Sequence, residues 1–267
     1  MSRLYRPLEA DDTAVMRRAL RAFGVLVDDN DDPWLVLGTG GKFDSPEGPV
    51  DVGASGTTAR FITALAALVP GPTVVDGIER MRERPIGPLT QALGQVGVEA
   101  TDAAGFPPVR VTGGGRLEGG HVRVDASMSS QFASALLMVA PMAEAPITIE
   151  LEGPVVSRRY LDGTVEMMRR FGAEVAVAED RYEVSPTGYD KAHVTIEPDA
   201  SAAVYPAVAA AITGGHVEIP GLGAESTQPD LFVLEVLARM GCDVDRDADA
   251  VRVRGPAGPL TPVDVDL

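Results

Sequence analysis

Val50-Asp51-Val52-Gly53-Ala54-Ser55-Gly56, Val122-Arg123-Val124-Asp125-Ala126-Ser127-Met128 and Val194-Thr195-Ile196-Glu197-Pro198-Asp199-Ala200 begin 72 and then a further 72 residues apart. Each reads as a strand, a turn and the entry to a helix of small residues. Those helices run over 57–65, 130–138 and 201–209. Between them a second pattern recurs over 11–40, 84–114, 158–188 and 228–255: an amphipathic helix, a glycine, then two short strands. Gly24, Gly97, Gly172 and Gly241 each close an apolar helical stripe, where a left-handed cap is expected. Val98-Glu99-Ala100 and Pro108-Val109-Arg110-Val111 illustrate the strands that follow. A period of about 72 residues exceeds that of solenoid repeats, so the chain reads as a compact α/β module copied and packed around a pseudo-symmetry axis.

Composition bounds the setting. A chain of 267 residues, 45% hydrophobic, buries a sizeable core in one or two domains. No stretch approaches the roughly 20 apolar residues of a membrane span, and the first residues lack a signal-peptide core, so the expected location is the cytoplasm. The single cysteine, Cys242, excludes an intrachain disulfide and a multi-cysteine metal site; its place just after Gly241 marks it as a small core residue. Thirty-nine acidic residues oppose 23 basic ones, a net charge of −16, and only Lys42 and Lys191 are lysines. Such a balance disfavours nucleic acid and anionic membrane as partners. It suits a salt-rich, halophilic cytoplasm in which carboxylate repulsion is screened.

The chemistry is sought where turns meet helix starts. In Ala54-Ser55-Gly56-Thr57-Thr58 the glycine permits close backbone approach, and the threonines are expected to cap a helix whose free N–H groups attract anions. A capped helix start with no ligand would look the same. Ser127-Met128-Ser129-Ser130-Gln131-Phe132 places two hydroxyls and an amide at the next helix start, more polar groups than capping requires. In Glu79-Arg80-Met81-Arg82-Glu83-Arg84-Pro85-Ile86-Gly87 the alternating arginines would share one side of an extended segment. Pro85 extends Arg84 and is expected to start the following helix. A guanidinium at a helix entrance binds carboxylate or phosphate through paired hydrogen bonds; the other reading is a solvated run in which Arg80 and Arg82 pair with Glu79 and Glu83. Ser157-Arg158-Arg159-Tyr160 holds the equivalent place one repeat later.

Met81-Arg82-Glu83-Arg84-Pro85-Ile86-Gly87 together with Ser129-Ser130-Gln131-Phe132, at this spacing, closely resembles the 3-phosphoshikimate 1-carboxyvinyltransferase (EPSP synthase) family. The likeness extends through Gly53 to Arg60, Val156-Ser157 and Asp199-Ala200-Ser201. It implies an α/β fold of six repeated βαβαββ units in two lobes, an inside-out α/β barrel with the active site between the lobes. The implied reaction moves the enolpyruvyl group of phosphoenolpyruvate to the 5-hydroxyl of shikimate 3-phosphate, releasing phosphate, on the route to chorismate and the aromatic amino acids. Carried over residue by residue, Ser129, Ser130, Gln131, Ser157 and Tyr160 hold shikimate 3-phosphate, while Gly56, Arg84 and Gln131 hold phosphoenolpyruvate. No metal or organic cofactor is implied, and the complete enzyme is expected to be monomeric. His121, His193 and His216 match no catalytic position and are assigned to surface or strand structure.

Against the family pattern, an opening Lys-Ser pair and arginine, a later catalytic aspartate, and the glutamate, lysine and arginines that complete the phosphoenolpyruvate site are not matched, and Ala54 stands where the family has asparagine. The expectation is an internal piece, inactive alone: residues 1–197 from the N-terminal lobe and 198–267 the first unit of the C-terminal lobe, with no catalytic residue of its own. Three other readings are weighed. The sister UDP-N-acetylglucosamine enolpyruvyl transferase commonly uses a loop cysteine, and Cys242 is badly placed for it. A DNA sliding clamp needs a basic inner surface. A truncated, non-catalytic product is the third.

Overall fold

The computed structural model describes residues 1–265. In chain order the elements are β1 (Ser2–Tyr5), α1 (Asp11–Ala22), β2 (Leu26–Asp28), β3 (Trp34–Leu37), β4 (Val50–Asp51), α2 (Gly56–Ala66), β5 (Pro70–Asp76) and α3 (Gly87–Gly94). There follow β6 (Glu99–Ala103), β7 (Phe106–Gly114), β8 (Gly120–Asp125), α4 (Gln131–Val139), β9 (Ile147–Glu152), α5 (Arg158–Arg170), β10 (Val175–Ala178) and β11 (Arg181–Val184). The chain continues through β12 (His193–Thr195), α6 (Ala200–Thr213), β13 (His216–Pro220), α7 (Phe232–Arg239), β14 (Asp243–Arg246) and β15 (Ala250–Arg254). It divides into two compact units, Met1–Val194 and a second beginning at Thr195.

The βαβαββ module is present twice in full. One sheet runs β4-β5-β7-β6 and the other β8-β9-β11-β10, and in each the first two strands are parallel while the others pair antiparallel. A parallel pair needs a crossover, and α2 and α4 supply it. The third sheet has the order β12-β1-β3-β2. Its first place is therefore taken by a strand almost 190 residues away from its neighbour in sequence, a closure that Arg3 N–H reinforces by donating to Ala192 O at 3.1 Å. In the second unit β13-β15-β14 repeats the last three strands of the module.

The four predicted capping glycines all adopt left-handed backbone: Gly24 at φ 83°, Gly97 at 80°, Gly172 at 85° and Gly241 at 98°. At each, the glycine N–H bonds back to the carbonyl three residues earlier, and the next residue's N–H reaches back five. The second set comprises Val25 to Leu20, Val98 to Leu93, Ala173 to Met168 and Cys242 to Leu237. This double closure asks for a buried apolar residue just beyond the glycine. All four are buried, so Cys242 is the fourth copy of a helix-stop position, and burial pushes its thiol pKa up.

The 72-residue spacing slides at the helix starts. The N-caps are Ser55, Ser130 and Asp199, 75 and 69 residues apart. Strand openings and helix entrances are thus offset by a few residues of loop, which turns tolerate more readily than helices do.

The main core of the first unit joins the two modules: Ala64, Leu89, Leu93, Val109, Val111, Phe132, Leu136, Leu137, Ile149 and Leu161 form one buried cluster. Gly113 shows how closely β7 approaches α2. A Cβ there would run into the carbonyl oxygens of Val69, Ala66 and Ala67, and Gly255 stands in the same relation to Ala210 and Ala211 of α6. Gly113→Ala is expected to destabilise the first unit by about 1–3 kcal/mol through overpacking. Urea unfolding measures this; an unchanged midpoint would show that the end of α2 has room to move away.

Candidate anion-binding site

β4 and β5 are parallel, as are β8 and β9, so the loops leaving their carboxyl ends lie at one end of each sheet. In open α/β architectures that end is where ligands collect. The loop after β4 is shaped by Asp51, whose Oδ1 accepts from Gly53 N–H at 2.8 Å, and by Gly53 at φ 53°. The loop after β8 uses the same device: Asp125 Oδ1 accepts from Ser127 N–H at 2.8 Å, and the Ser127 hydroxyl and N–H hold the Asp125 carboxyl below its usual pKa.

Ser55, not the threonines, caps α2. Its Oγ accepts from Thr58 N–H at 3.3 Å and lies 2.9 Å from Thr58 Oγ1. Gly56 is the first residue of the helix, and a Cβ built on it would lie 2.8 Å from Arg84 Nη1 and 2.9 Å from Arg60 Nη1. The glycine is needed because two guanidinium groups close over it. Both nitrogens lie near one point, so the two cations are less than about 6 Å apart.

Arg84 reaches this place along an extended backbone, φ −93° and ψ 130°, as Pro85 dictates. Pro85 does not start the next helix: α3 begins at Gly87, with Ile86 as its N-cap and Pro88 in its first turn. The preceding arginines also depart from expectation. Glu79–Glu83 is a 3₁₀ turn wound around buried Met81, so Arg80, Arg82 and Arg84 do not share one side. Arg82 pairs with neither Glu79 nor Glu83; it grips Asp76 with two bonds, 3.0 Å from Nε and 2.6 Å from Nη2. That fork holds the Asp76 carboxyl below its usual pKa. Arg84 has no carboxylate within ion-pair distance among the described residues, so its guanidinium is open to a ligand.

Two further residues join this cluster: Arg60, which sequence reading did not single out, and Thr57, which it read only as a helix cap. Arg60 is only 9% exposed, donates from Nη1 to Gln131 Oε1 at 2.7 Å and from Nη2 to Pro85 O at 3.3 Å, and lies 5.1 Å from the centre of the Phe132 ring. Its Nε is buried without a partner among the described residues. Desolvation, and then the charge of Arg84, lower its pKa from the ordinary arginine value. Gln131 completes the link: its Nε2 donates to Thr57 Oγ1 at 3.1 Å, and its N–H donates to Ser129 Oγ at 3.2 Å. Ser130, buried at the N-cap of α4, makes no side-chain capping bond. The signal in the sequence was an arginine among Ala59, Phe61, Ile62 and Ala64, a charge on an otherwise apolar helix.

Gly56, Arg84, Ser129, Ser130 and Gln131 are therefore brought together. Ser157 and Tyr160 lie one helix further along. Ser157 enters α5 in left-handed conformation, φ 56° and ψ 44°, and Val156 N–H donates to Ala126 O at 3.3 Å, tying the two loops. Tyr160, 48% exposed, accepts through its carbonyl from Thr164 Oγ1 at 2.8 Å, and Thr164 meets Ser134 of α4 at 2.9 Å. Arg158 points elsewhere, bonding Glu179 O at 3.1 Å and Asp180 at the β10–β11 turn. The histidines are on strands β8, β12 and β13, with His121 3.0 Å from Glu150. Among the described residues no group of three or more His, Cys, Asp and Glu is placed to hold a metal ion, and no helix is long and apolar enough to cross a membrane.

A repeated α/β fold presenting two helix N-termini, two guanidinium groups and an array of hydroxyls at one end is a module equipped to hold anions. The model of the family "EPSP synthase (3-phosphoshikimate 1-carboxyvinyltransferase)" matches residues 1–267, and the chain belongs to that family. It is 43% identical to the 3-phosphoshikimate 1-carboxyvinyltransferase of Rhizobium leguminosarum bv. trifolii, over 89% of this chain and 57% of that protein. It is 40% identical to the enzyme of that name from Methanothermobacter thermautotrophicus, over 100% and 63%. Thus the chain spans roughly three fifths of the length of these curated relatives. Among solved structures it shares the fold of an EPSP synthase from Acinetobacter baumannii, with TM-score 0.79 and 24% identity over 95% of this chain and 59% of that one. The enolpyruvyl transferase NikO from Streptomyces tendae follows, with TM-score 0.72 and 19% identity over 98% and 61%.

Gly56→Ala is expected to push the Arg84 guanidinium aside, since Arg60 is buried and held. Losing one charge-assisted bond would weaken binding of inorganic phosphate by about tenfold while leaving the unfolding midpoint in place. Titration calorimetry checks it; unchanged phosphate affinity would remove the Gly56–Arg84 contact from the site.

Proposed function

We propose that this chain carries the part of an EPSP synthase that binds and orients its two anionic substrates, in the transfer of an enolpyruvyl group from phosphoenolpyruvate to the 5-hydroxyl of shikimate 3-phosphate. Arg84, Gln131 and the N-terminus of α2 at Gly56 take phosphoenolpyruvate. Ser129, Ser130, Gln131, Ser157 and Tyr160 take shikimate 3-phosphate. The observation that carries this reading is Arg84 itself: a half-buried guanidinium with no carboxylate counterion among the described residues, sharing one glycine with a second guanidinium. Two cations so placed repel until an anion lies between them.

In the addition–elimination that the family implies, protonation of the phosphoenolpyruvate methylene makes C2 electrophilic, the shikimate hydroxyl adds, and the intermediate expels phosphate. The work of these residues is positional and electrostatic. They hold the hydroxyl and C2 within reach and neutralise charge on the departing phosphate. Proton transfer is assigned to no residue of this chain. On the same reading residues 1–197 are the N-terminal lobe and 198–267 the first unit of the C-terminal lobe, and the complete enzyme is a cytoplasmic monomer. The UDP-N-acetylglucosamine alternative is not favoured: the relatives above carry the 3-phosphoshikimate name, and Cys242 is buried in the core of the second unit.

Calorimetry with shikimate 3-phosphate, then phosphoenolpyruvate in its presence, tests the assignment. Binding of the first is expected from the chain itself, and Arg84→Ala should weaken the second by about 2–4 kcal/mol. Failure to bind shikimate 3-phosphate would overturn the reading. The charge of −16 further suggests a salt-rich interior. The thermal midpoint is then expected to rise from 0.1 to 2 molar potassium chloride, on the order of several degrees, as repulsion is screened; a midpoint indifferent to salt would dismiss the halophilic setting.

A further inference from the structure

Arg60 is a buried cation without a carboxylate within ion-pair distance among the described residues, which is costly unless its hydrogen bonds serve some end. Its strongest bond runs to Gln131 Oε1, across from α2 to α4. A glutamine amide presents an oxygen at one end and two N–H groups at the other, and the two ends are nearly the same size. Which end faces a neighbour is settled by the neighbour's chemistry. Guanidinium donates and never accepts, so Gln131 must turn its oxygen toward Arg60. Its Nε2 then points to Thr57, where one N–H is used, and the other is left for a ligand. A free glutamine could instead offer its carbonyl to an incoming anion and repel it. At the same time Arg60 and Arg84 crowd one face of Gly56, and since Arg60 is anchored by Pro85 O and the Phe132 ring, Arg84 is the one that must stand off toward the open side.

We propose that Arg60 is a positioning residue: its Nη1 bond to Gln131 Oε1 locks the amide with its N–H donors toward the anion, and its charge turns the Arg84 guanidinium the same way. This rests on the anion-site reading above and adds the orientation of its donors. Arg60 need not touch the anion; it makes the helix starts of two modules act as one site.

The test is a double-mutant cycle read by calorimetry on the full chain, with inorganic phosphate and phosphoenolpyruvate as probes. Arg60→Met and Gln131→Ala should each lower affinity by about ten- to a hundredfold, and the double variant no further than the worse single one, because both remove one oriented donor. Arg60→Lys, which keeps a donor and the charge, should recover a large part of the loss. Multiplying losses in the double variant would mean that Arg60 contacts the anion independently, and would overturn the positioning role, as would an Arg60→Met chain that binds as before. Should Arg60→Met not fold, the side-chain amide signals of Gln131 in the unaltered chain decide: they should shift when phosphate is added, and indifference to phosphate sinks the proposal. An unaltered chain that binds neither probe would overturn the anion-site reading itself, and this inference with it.

Discussion

Two apolar helices packed side by side, α2 and α4, govern the first unit. Eight of the 11 residues of α2 and seven of the nine of α4 are buried, and small side chains such as Ala59, Ala64, Ala133 and Ala135 let them lie close together. Each is the crossover of its own parallel strand pair, so fixing one helix against the other fixes two sheets. Their N-termini consequently emerge together. Burial of helix ends leaves backbone N–H groups in want of acceptors, and here two such ends sit beside one another with guanidinium groups in attendance. Burying apolar surface between modules and gathering these helix starts and guanidinium groups are the same structural event.

The proposed binding of anions by a negative protein looks contradictory only if charge is counted globally. The carboxylates near the helix starts are spent on local tasks: Asp51 and Asp125 shape turns, and Asp76 is clamped by Arg82. Low local dielectric magnifies the remaining cations, and distant surface carboxylates are screened within about 10 Å at moderate salt. Local geometry outweighs net charge because the fall-off with distance is steep.

Much of this was legible in the chain. The four capping glycines follow from helical stripes that end in a residue free to adopt positive φ, and the same local rule explains the burial of Cys242. The turn at Gly56, the guanidinium at Arg84 and the cluster at Ser129, Ser130 and Gln131 were each visible as turn or helix-start chemistry, while the association of Gly56 with Arg84 was implied only by the family resemblance. Less legible were the partners. Arg82 chose Asp76 over its neighbours Glu79 and Glu83 because the chain winds around Met81, a packing preference that alternation of charges cannot express. Arg60 escaped notice because a helical arginine is ordinarily a surface residue, and only a second helix on top of it makes it a buried one.

The sequence by itself determined the module, its copies and the residue types at each helix start, since repetition, caps and turns are local and leave their periodicity in the chain. Tertiary structure alone decided that β12 completes the sheet of β1, that two helix entrances 75 residues apart meet, and that Gln131 turns its oxygen to Arg60. Those are contacts between segments distant in sequence, set by the shape and burial of surfaces that exist only once the modules have packed.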